Sequence, residues 1–159
     1  MATTSVPDVL INFRTQLMAR AALAGVAVHL IDFGDLTEHE VIQFTRVQMS
    51  GAAFFLWGAG EGSRATREPL VLSGSVFVEL AGNDDEGAAT ALRRAGVLLT
   101  EIMQQLRDDP TIWGALVSPR VRGAPLMESA LWRTAPADAE GSSAIHVRVD
   151  FSIAWNAVT

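Results

Sequence analysis

The chain has 159 residues with 12 Arg, no Lys and 18 acidic residues, a formal charge of −6. That length suits a single domain over residues 1–159, and the acidic balance argues against free nucleic-acid binding, which needs surplus cations. The absence of Cys excludes disulfides, thiolate zinc sites, iron–sulfur clusters and thiol nucleophiles, and the absence of Lys excludes a P-loop cation and Schiff-base chemistry.

The first predicted element is a helix over about 6–22. Ser5 is placed to cap it, Pro7 sits in the first turn, and Asp8 stands at capping-box spacing. Val9, Leu10, Phe13 and Leu17 share one helical face, and Gly25 stops the helix. Val26 to Asp32 reads as a β-branched strand. Residues 37–58 carry mixed signals. Thr37 and Glu40 make a capping box, but Val41, Ile42, Phe44, Thr45 and Val47 favour a strand over 41–49. Ala53 to Trp57 reads as a short strand, and 58–68 as a polar loop. Leu70 to Leu80 is a long strand with Leu70, Leu72, Val76, Val78 and Leu80 on one face. Gly74 on that face marks a bulge or a close approach.

The second helix, over about 84–108, is the clearest element. Asn83 is the expected cap, with Glu86 closing a box and Asp84 and Asp85 at the positive end of the dipole. Leu92, Ala95, Leu99, Ile102 and Leu106 form the buried stripe, and Gly96 suggests close packing on a sheet. Asp109-Pro110 ends the helix, and Thr111 to Leu116 adds a turn. Val117 to Arg122 and Glu128 to Thr134 are strand candidates, with a polar loop over 135–143. Residues 144–156 alternate. Ile145, Val147, Val149, Phe151, Ile153 and Trp155 point to a core, and His146, Arg148, Asp150, Ser152 and Asn156 to a wet face. The order predicts an α+β fold: one antiparallel or mixed sheet with both helices packed on one face.

No constellation suggests catalysis. His29-x-x-Asp32 and Glu38-His39-Glu40 lack metal-ligand spacing, and His146 lies on a wet strand face, so structural or solvated roles account for all three histidines. Gly58, Gly60 and Gly62 are spaced G-x-G-x-G and lead into Arg64, Arg67 and Pro69 rather than a helix, which fits a contact loop better than a phosphate cradle. No G-x-S-x-G elbow occurs. Asp108 and Asp109 stand at a helix C-terminus, where the dipole disfavours them, and a solvated loop position is the expected account. Trp155 belongs to the core. Trp132, beside Arg133, is either core or an interface anchor. The residues themselves thus indicate no catalytic, cofactor or metal site. The N-terminus carries no targeting pattern, and no apolar run approaches the roughly 18–20 residues of a membrane span. The chain is therefore expected to be soluble and intracellular at synthesis, with no cofactor.

The whole pattern resembles the tail terminator, or tail completion, proteins of long-tailed bacteriophages. The resemblance rests on order and texture. An opening helix Val9–Arg20 leads into Val26-Ala27-Val28-His29, and Glu40-Val41-Ile42-Gln43-Phe44 precedes a Gly-rich turn. A long strand runs from near Arg67-Glu68 to Val76-Phe77-Val78. The acidic turn Gly82-Asn83-Asp84-Asp85 feeds an Ala-rich helix ending Leu106-Arg107-Asp108-Asp109-Pro110-Thr111. Trp113-Gly114-Ala115-Leu116-Val117 follows, and an alternating strand closes the chain. The resemblance implies a structural virion protein and no enzyme. It implies a ring, usually a homohexamer, at the head-proximal end of the tail tube, assembled in the host cytoplasm. The ring would stop tube growth and join the tail to the neck. Its partners would be other copies of the chain, the tail tube protein and a neck or head–tail stopper protein. DNA would pass through an acidic lumen without specific binding, and no membrane would be involved. Arg64, Arg67, Trp132, Arg133 and Arg148 are the expected subunit contacts, since guanidinium forks suit carboxylates across interfaces. Another neck component is the alternative. A ligand-binding domain or enzyme would need a polar cluster between sheet and helix, and the sequence shows none.

Overall fold

The computed structural model describes residues 6–31, 40–49, 70–82, 84–116, 125–136 and 144–155. In chain order these form α1 (Val6–Ala19), a 3-10 turn (Ala21–Leu23), β1 (Ala27–His29), β2 (Glu40–Met49) and β3 (Leu70–Ala81). They continue as α2 (Asp85–Asp108), β4 (Leu126–Pro136) and β5 (Ala144–Trp155). The fold is α+β. Among the described residues the strands make one mixed sheet of order β1-β2-β3-β5-β4, with β1 parallel to β2 and every other pair antiparallel. Both helices pack on the same face. α1 lies over β1 and β2, and α2 lies over β3 and β5.

The apolar stripes read from the sequence bury for the most part. Val9, Phe13 and Leu17 of α1 and Ala95, Ile102 and Leu106 of α2 meet Ile42, Val76, Val149 and Trp155 of the sheet in one core; Leu98, outside the expected stripe, joins them, and Leu92 is only partly buried. Burying such side chains contributes roughly 1.5–3 kcal/mol each. The Phe13 and Phe44 rings meet at 5.5 Å between centroids, tilted by 40°.

Several boundaries differ from expectation, each for a local reason. α1 ends at Ala19, short of residue 22. The Arg20 backbone is extended (φ −77°, ψ 123°), and its guanidinium reaches across to α2. Its Nε donates to Glu101 at 2.6 Å, and Nη1 donates to Gln105 at 3.0 Å and Asp108 at 2.9 Å. The strand expected over 26–32 is laddered only at 27–29, because β1 is an edge strand paired with β2 from Ala27↔Val41 to His29↔Gln43. The cap of α2 is Asp84, one residue beyond the expected Asn83, and its carboxylate accepts from Gly87 N at 2.8 Å. Strand β2 takes the strand reading of 41–49. β4 extends through Pro136, into the stretch expected as loop. The elements expected over 53–57 and 117–122 lie outside the described residues, as do the 58–68 loop and residues 137–143.

Gly74 is the close approach that its position in β3 suggests. A Cβ there would stand 2.6 Å from the Gln43 carbonyl oxygen and 2.8 Å from Phe151 Cζ. The β2 ladder slips between Phe44 and Arg46, directly opposite Gly74. Backbone and ring occupy the space a side chain would take.

The wet face expected for the last strand requires correction. Ile145 to Trp155 do alternate into the core. On the opposite face, however, Val41, Gln43, Ser75 and Phe77 are buried, and Arg148 and Asp150 are half-buried. The polar residues there form a packed network rather than a solvated surface.

Candidate assembly interface

Among the described residues, β4 is the long edge of the sheet and pairs only with β5. Its outer N–H and C=O groups face no strand among the described residues, a disposition that favours pairing or capping by another chain. Its side chains are exposed along almost the whole length. The ladder slip between Met127 and Ser129 sets the two faces. Met127, Ala130 and Trp132 stand opposite Ile153, Phe151 and Val149 and therefore lie on the helix side. Leu131 and Arg133 stand opposite Asp150 and Arg148, on the far side.

On the helix side, α2 touches β4 only along one flank. Between them runs an open groove of about 410 Å³, lined by Gly96, Leu99, Thr100, Met103 and Arg107 of α2 and by Met127, Ala130 and Trp132 of β4. Trp132 remains 41% exposed and leans toward Gly96, where a Cβ would meet its Cη2 at 3.9 Å. Gly96 thus faces the sheet, as its position suggested, through this tryptophan of the edge strand. Trp132 takes the surface reading: it is an exposed aromatic on an edge strand.

On the far side, Arg133 and Arg148 converge on Asp150. Arg133 Nη2 donates to Oδ2 at 2.7 Å, Arg148 Nε donates to Oδ1 at 2.9 Å, and Ser75 Oγ donates to Oδ1 at 2.6 Å. Burial pushes the Asp150 carboxyl up. The Ser75 hydroxyl, then Arg148, then the charge of Arg133 outweigh it and hold the group below the ordinary carboxylate value. Arg148 also lies over the Phe77 ring, 4.9 Å from its centroid. Two arginines opposite each other on neighbouring strands would repel; here the carboxylate between them ties β3, β5 and β4 together. With both oxygens engaged by donors, Asp150 is poorly placed as a general base. Arg133 is the more exposed of the two cations and the one able to share its fork with a neighbour. Arg64 and Arg67 lie outside the described residues.

The sequence reading missed a second feature, the turn after α2. Asp109 is no solvated loop residue. It accepts from Trp113 N at 2.8 Å, Thr111 Oγ1 at 2.8 Å, Thr111 N at 3.2 Å and Gln16 Nε2 of α1 at 2.7 Å. Burial raises the Asp109 carboxyl, and the Trp113 N–H followed by the Thr111 and Gln16 donors bring it below its ordinary value. Asp108 is likewise lowered, by Gln104 first and Arg20 second. The turn runs through positive φ at Ile112 (51°), Trp113 (52°) and Gly114 (79°). Left-handed backbone at a β-branched residue costs on the order of 1–3 kcal/mol. It buries Ile112 and leaves Trp113 58% exposed. The local signal was Asp109-x-Thr111, an Asx-turn pattern, which the preceding Asp108 obscured.

Among the described residues no group of His, Asp and Glu is arranged to hold a metal, and no helix is long and apolar enough to cross a membrane. No protein-family model matches the chain, and no curated protein matches it in sequence. The structural comparison does find a likeness, to a chain of the structure described as "Virion of native gene transfer agent (GTA) particle". The TM-score is 0.50 at 14% identity, with 98% of each chain covered. Over nearly its whole length, therefore, the protein shares the fold of a chain from that particle.

Proposed function

We propose that the protein is a structural subunit of a phage-type virion, and within that class a tail terminator. It would form a ring, of six copies, on the head-proximal end of the tail tube, stop tube growth there and present the surface that joins the tail to the neck. The observation that carries this reading is the end-to-end fold correspondence with a chain of a gene transfer agent virion. The order of elements quoted above for tail terminators supports it, and so does the surface chemistry. A ring subunit needs lateral contacts and no reactive centre. β4 offers an edge that no strand among the described residues pairs, an exposed Trp132 and a cation, Arg133, already oriented by Asp150. Arg64 and Arg67 are proposed as further contacts. Arg148, engaged inside its own chain, would act by holding Arg133 and the sheet in register. An acidic subunit suits a DNA passage, since like charge limits trapping of the genome.

A terminator binds a growing tube end and offers no equivalent surface on its far side, so addition of tube rings stops. Mixing the purified protein with its cognate tube protein should cap tubes at about one ring per tube. Electron microscopy should then show shorter tubes with density at one end. Unchanged lengths with bare ends, but binding to isolated necks, would favour another neck component instead.

A further inference from the structure

The two edges of the sheet differ. β1 runs over three residues, and its Val28 carbonyl already accepts from Arg14 Nε of α1. β4 runs over eleven, and its outer edge meets no strand among the described residues. Apart from the ladder slip near its start, it lacks the devices that keep an edge unpaired: it carries no Lys, and its one Pro is its last residue. It is also apolar and exposed on both faces, with Trp132 on the helix side and Leu131 on the far side. A strand laid beside it would meet the groove with Met103 and Met127 on one face and Leu131 on the other. Such a place suits a segment that is apolar at consecutive positions rather than at alternate ones. Outside the described elements the sequence holds one run of that kind, Ala52-Ala53-Phe54-Phe55-Leu56-Trp57, bounded by Gly51 and Gly58.

We infer that this run, supplied by a second copy of the chain, pairs along β4 as a sixth strand. Its own copy cannot supply it. Met49 stands opposite Leu70, Leu70 opposite Trp155 and Leu126 opposite Ala154, so β2 ends at the end of the sheet where β4 begins. From β2 to a position outside β4 is four strand spacings, about 19 Å. The three residues from Met49 to Ala52 extend over at most about 11 Å, and the five to Phe54 over at most about 18 Å. Within one chain the first half of the run therefore falls short of the edge. Between copies that limit is lifted, because the lending connection and the receiving edge belong to different subunits. Each copy lends its run to one neighbour and receives on β4 the run of the other, a heterologous exchange that closes into a ring. Successive side chains of the run then point by turns into the groove beside Trp132 and toward Arg133. An aromatic ring beside Arg133 repeats the contact that Arg148 makes with Phe77 on the same face of the sheet, 4.9 Å from cation to centroid. Arg64 and Arg67 follow in the same connection and are carried onto the neighbour. The inference rests on the ring reading above and specifies its lateral contact.

The chain has no cysteine, so engineered thiols report one contact at a time. Phe55→Cys and Leu56→Cys, which fall on opposite faces of a strand, are each mixed with Leu131→Cys and Thr134→Cys in the full-length protein. The mixtures are treated with a short bis-maleimide, and the oligomeric state is followed by native mass spectrometry with and without tube protein. At least one combination of the two sets should cross-link tenfold or more above either variant alone, and a chain carrying both thiols should give a ladder ending at the ring. Hydrogen exchange on the unsubstituted chain reads the backbone directly. On assembly every second amide over 129–135 should slow tenfold or more, because only the outward N–H groups gain partners. Leu131→Lys, a charge on the open edge, should cut ring formation tenfold or more while leaving the circular dichroism spectrum and urea midpoint of the monomer unchanged. A ring that forms with no such cross-link, or with no alternating protection along β4, overturns the inference and leaves the ring reading standing. A cross-link closed within one chain overturns it too, as does Leu131→Cys linking to itself, which would mean β4 paired with β4 across a two-fold axis. Protection of β4 by tube protein while the run stays unlinked overturns it in favour of that partner. A chain that stays monomeric even with tube protein defeats both readings.

Discussion

Gly74→Ala isolates a single packing constraint. The added methyl would sit 2.6 Å from the Gln43 carbonyl oxygen and 2.8 Å from Phe151 Cζ, where unstrained contacts begin above about 3.4 Å. The ring can rotate or shift, whereas the carbonyl belongs to the β2–β3 ladder and cannot move without breaking it. Overpacking of a filled core costs about 1–3 kcal/mol, and an obstructing backbone atom places this case at the upper end, near 3 kcal/mol. For a chain of this size that is a fall in Tm of about 6–12 °C. Urea and thermal unfolding followed by tryptophan fluorescence would measure it. Phe151→Leu in the same background should restore only part of the loss, because it clears the ring and leaves the carbonyl. A Gly74→Ala protein melting within a degree of the parent would refute the geometry. Full rescue by Phe151→Leu would show that the backbone contact carries no weight.

Further predictions concern the ion-pair clusters and the groove. Asp109→Ala should cost about 1–2 kcal/mol in urea titrations, since it strips the turn of its acceptor and leaves the buried Gln16 amide unpaired. Arg148→Ala should lower the unfolding free energy from urea titrations by about 1–3 kcal/mol through the loss of its packing on Phe77 and its bond to Asp150. Arg133→Ala, at the exposed end of the same cluster, should cost less than about 1 kcal/mol; the reverse order would mean that the cluster is organised around Arg133. Asp109 and Asp150 have lowered pKa values in the fold. They therefore stabilise it above the ordinary carboxylate value of about 3.9, and that contribution is lost as pH falls through their lower folded values. A stability profile between pH 6 and 2 should drop at the acid end, and less steeply in Asp150→Asn. Trp132→Ala should leave the monomer's melting temperature nearly unchanged while reducing assembly on tube ends, read as the fraction of capped tubes.

Much of the fold is legible in the residues, because period and position agree over long stretches. The alternation of 144–155 and the stripe of α2 each extend over ten or more residues, and both elements form where expected. The 41–49 segment carries a helix cap signal ahead of β-branched residues, and the strand forms because those side chains find partners on β3. What the sequence hides is the far face of the sheet. His146, Arg148, Asp150 and Ser152 look solvated when read along β5 alone. Their partners Ser75, Phe77 and Arg133 come from strands 75 and 17 residues away in the chain, and only the register joins them. The same holds for Asp109, whose acceptor role depends on Gln16, 93 residues earlier. Read along the chain, Trp132 beside Arg133 fits either core or an interface anchor, and the groove that decides between them is not visible there, since it results from α2 stopping short of β4.

The strand order also has a kinetic meaning. β5 comes last in the chain yet lies inside the sheet, between β3 and β4. During synthesis β4 therefore leaves the ribosome before its neighbour β5, and β3, which can pair with β2 on one edge, waits for its second neighbour about 75 residues downstream. Closing loops of that length slows two-state folding toward the millisecond-to-second range of sheets built from distant strands. Until residues 144–155 emerge, the nascent chain holds two long strands, β3 and β4, each with an open edge, a state prone to sticking to its own kind. A ribosome-stalled chain ending near residue 143 should be cleaved readily within β4, whereas one extended far enough to release β5 should resist.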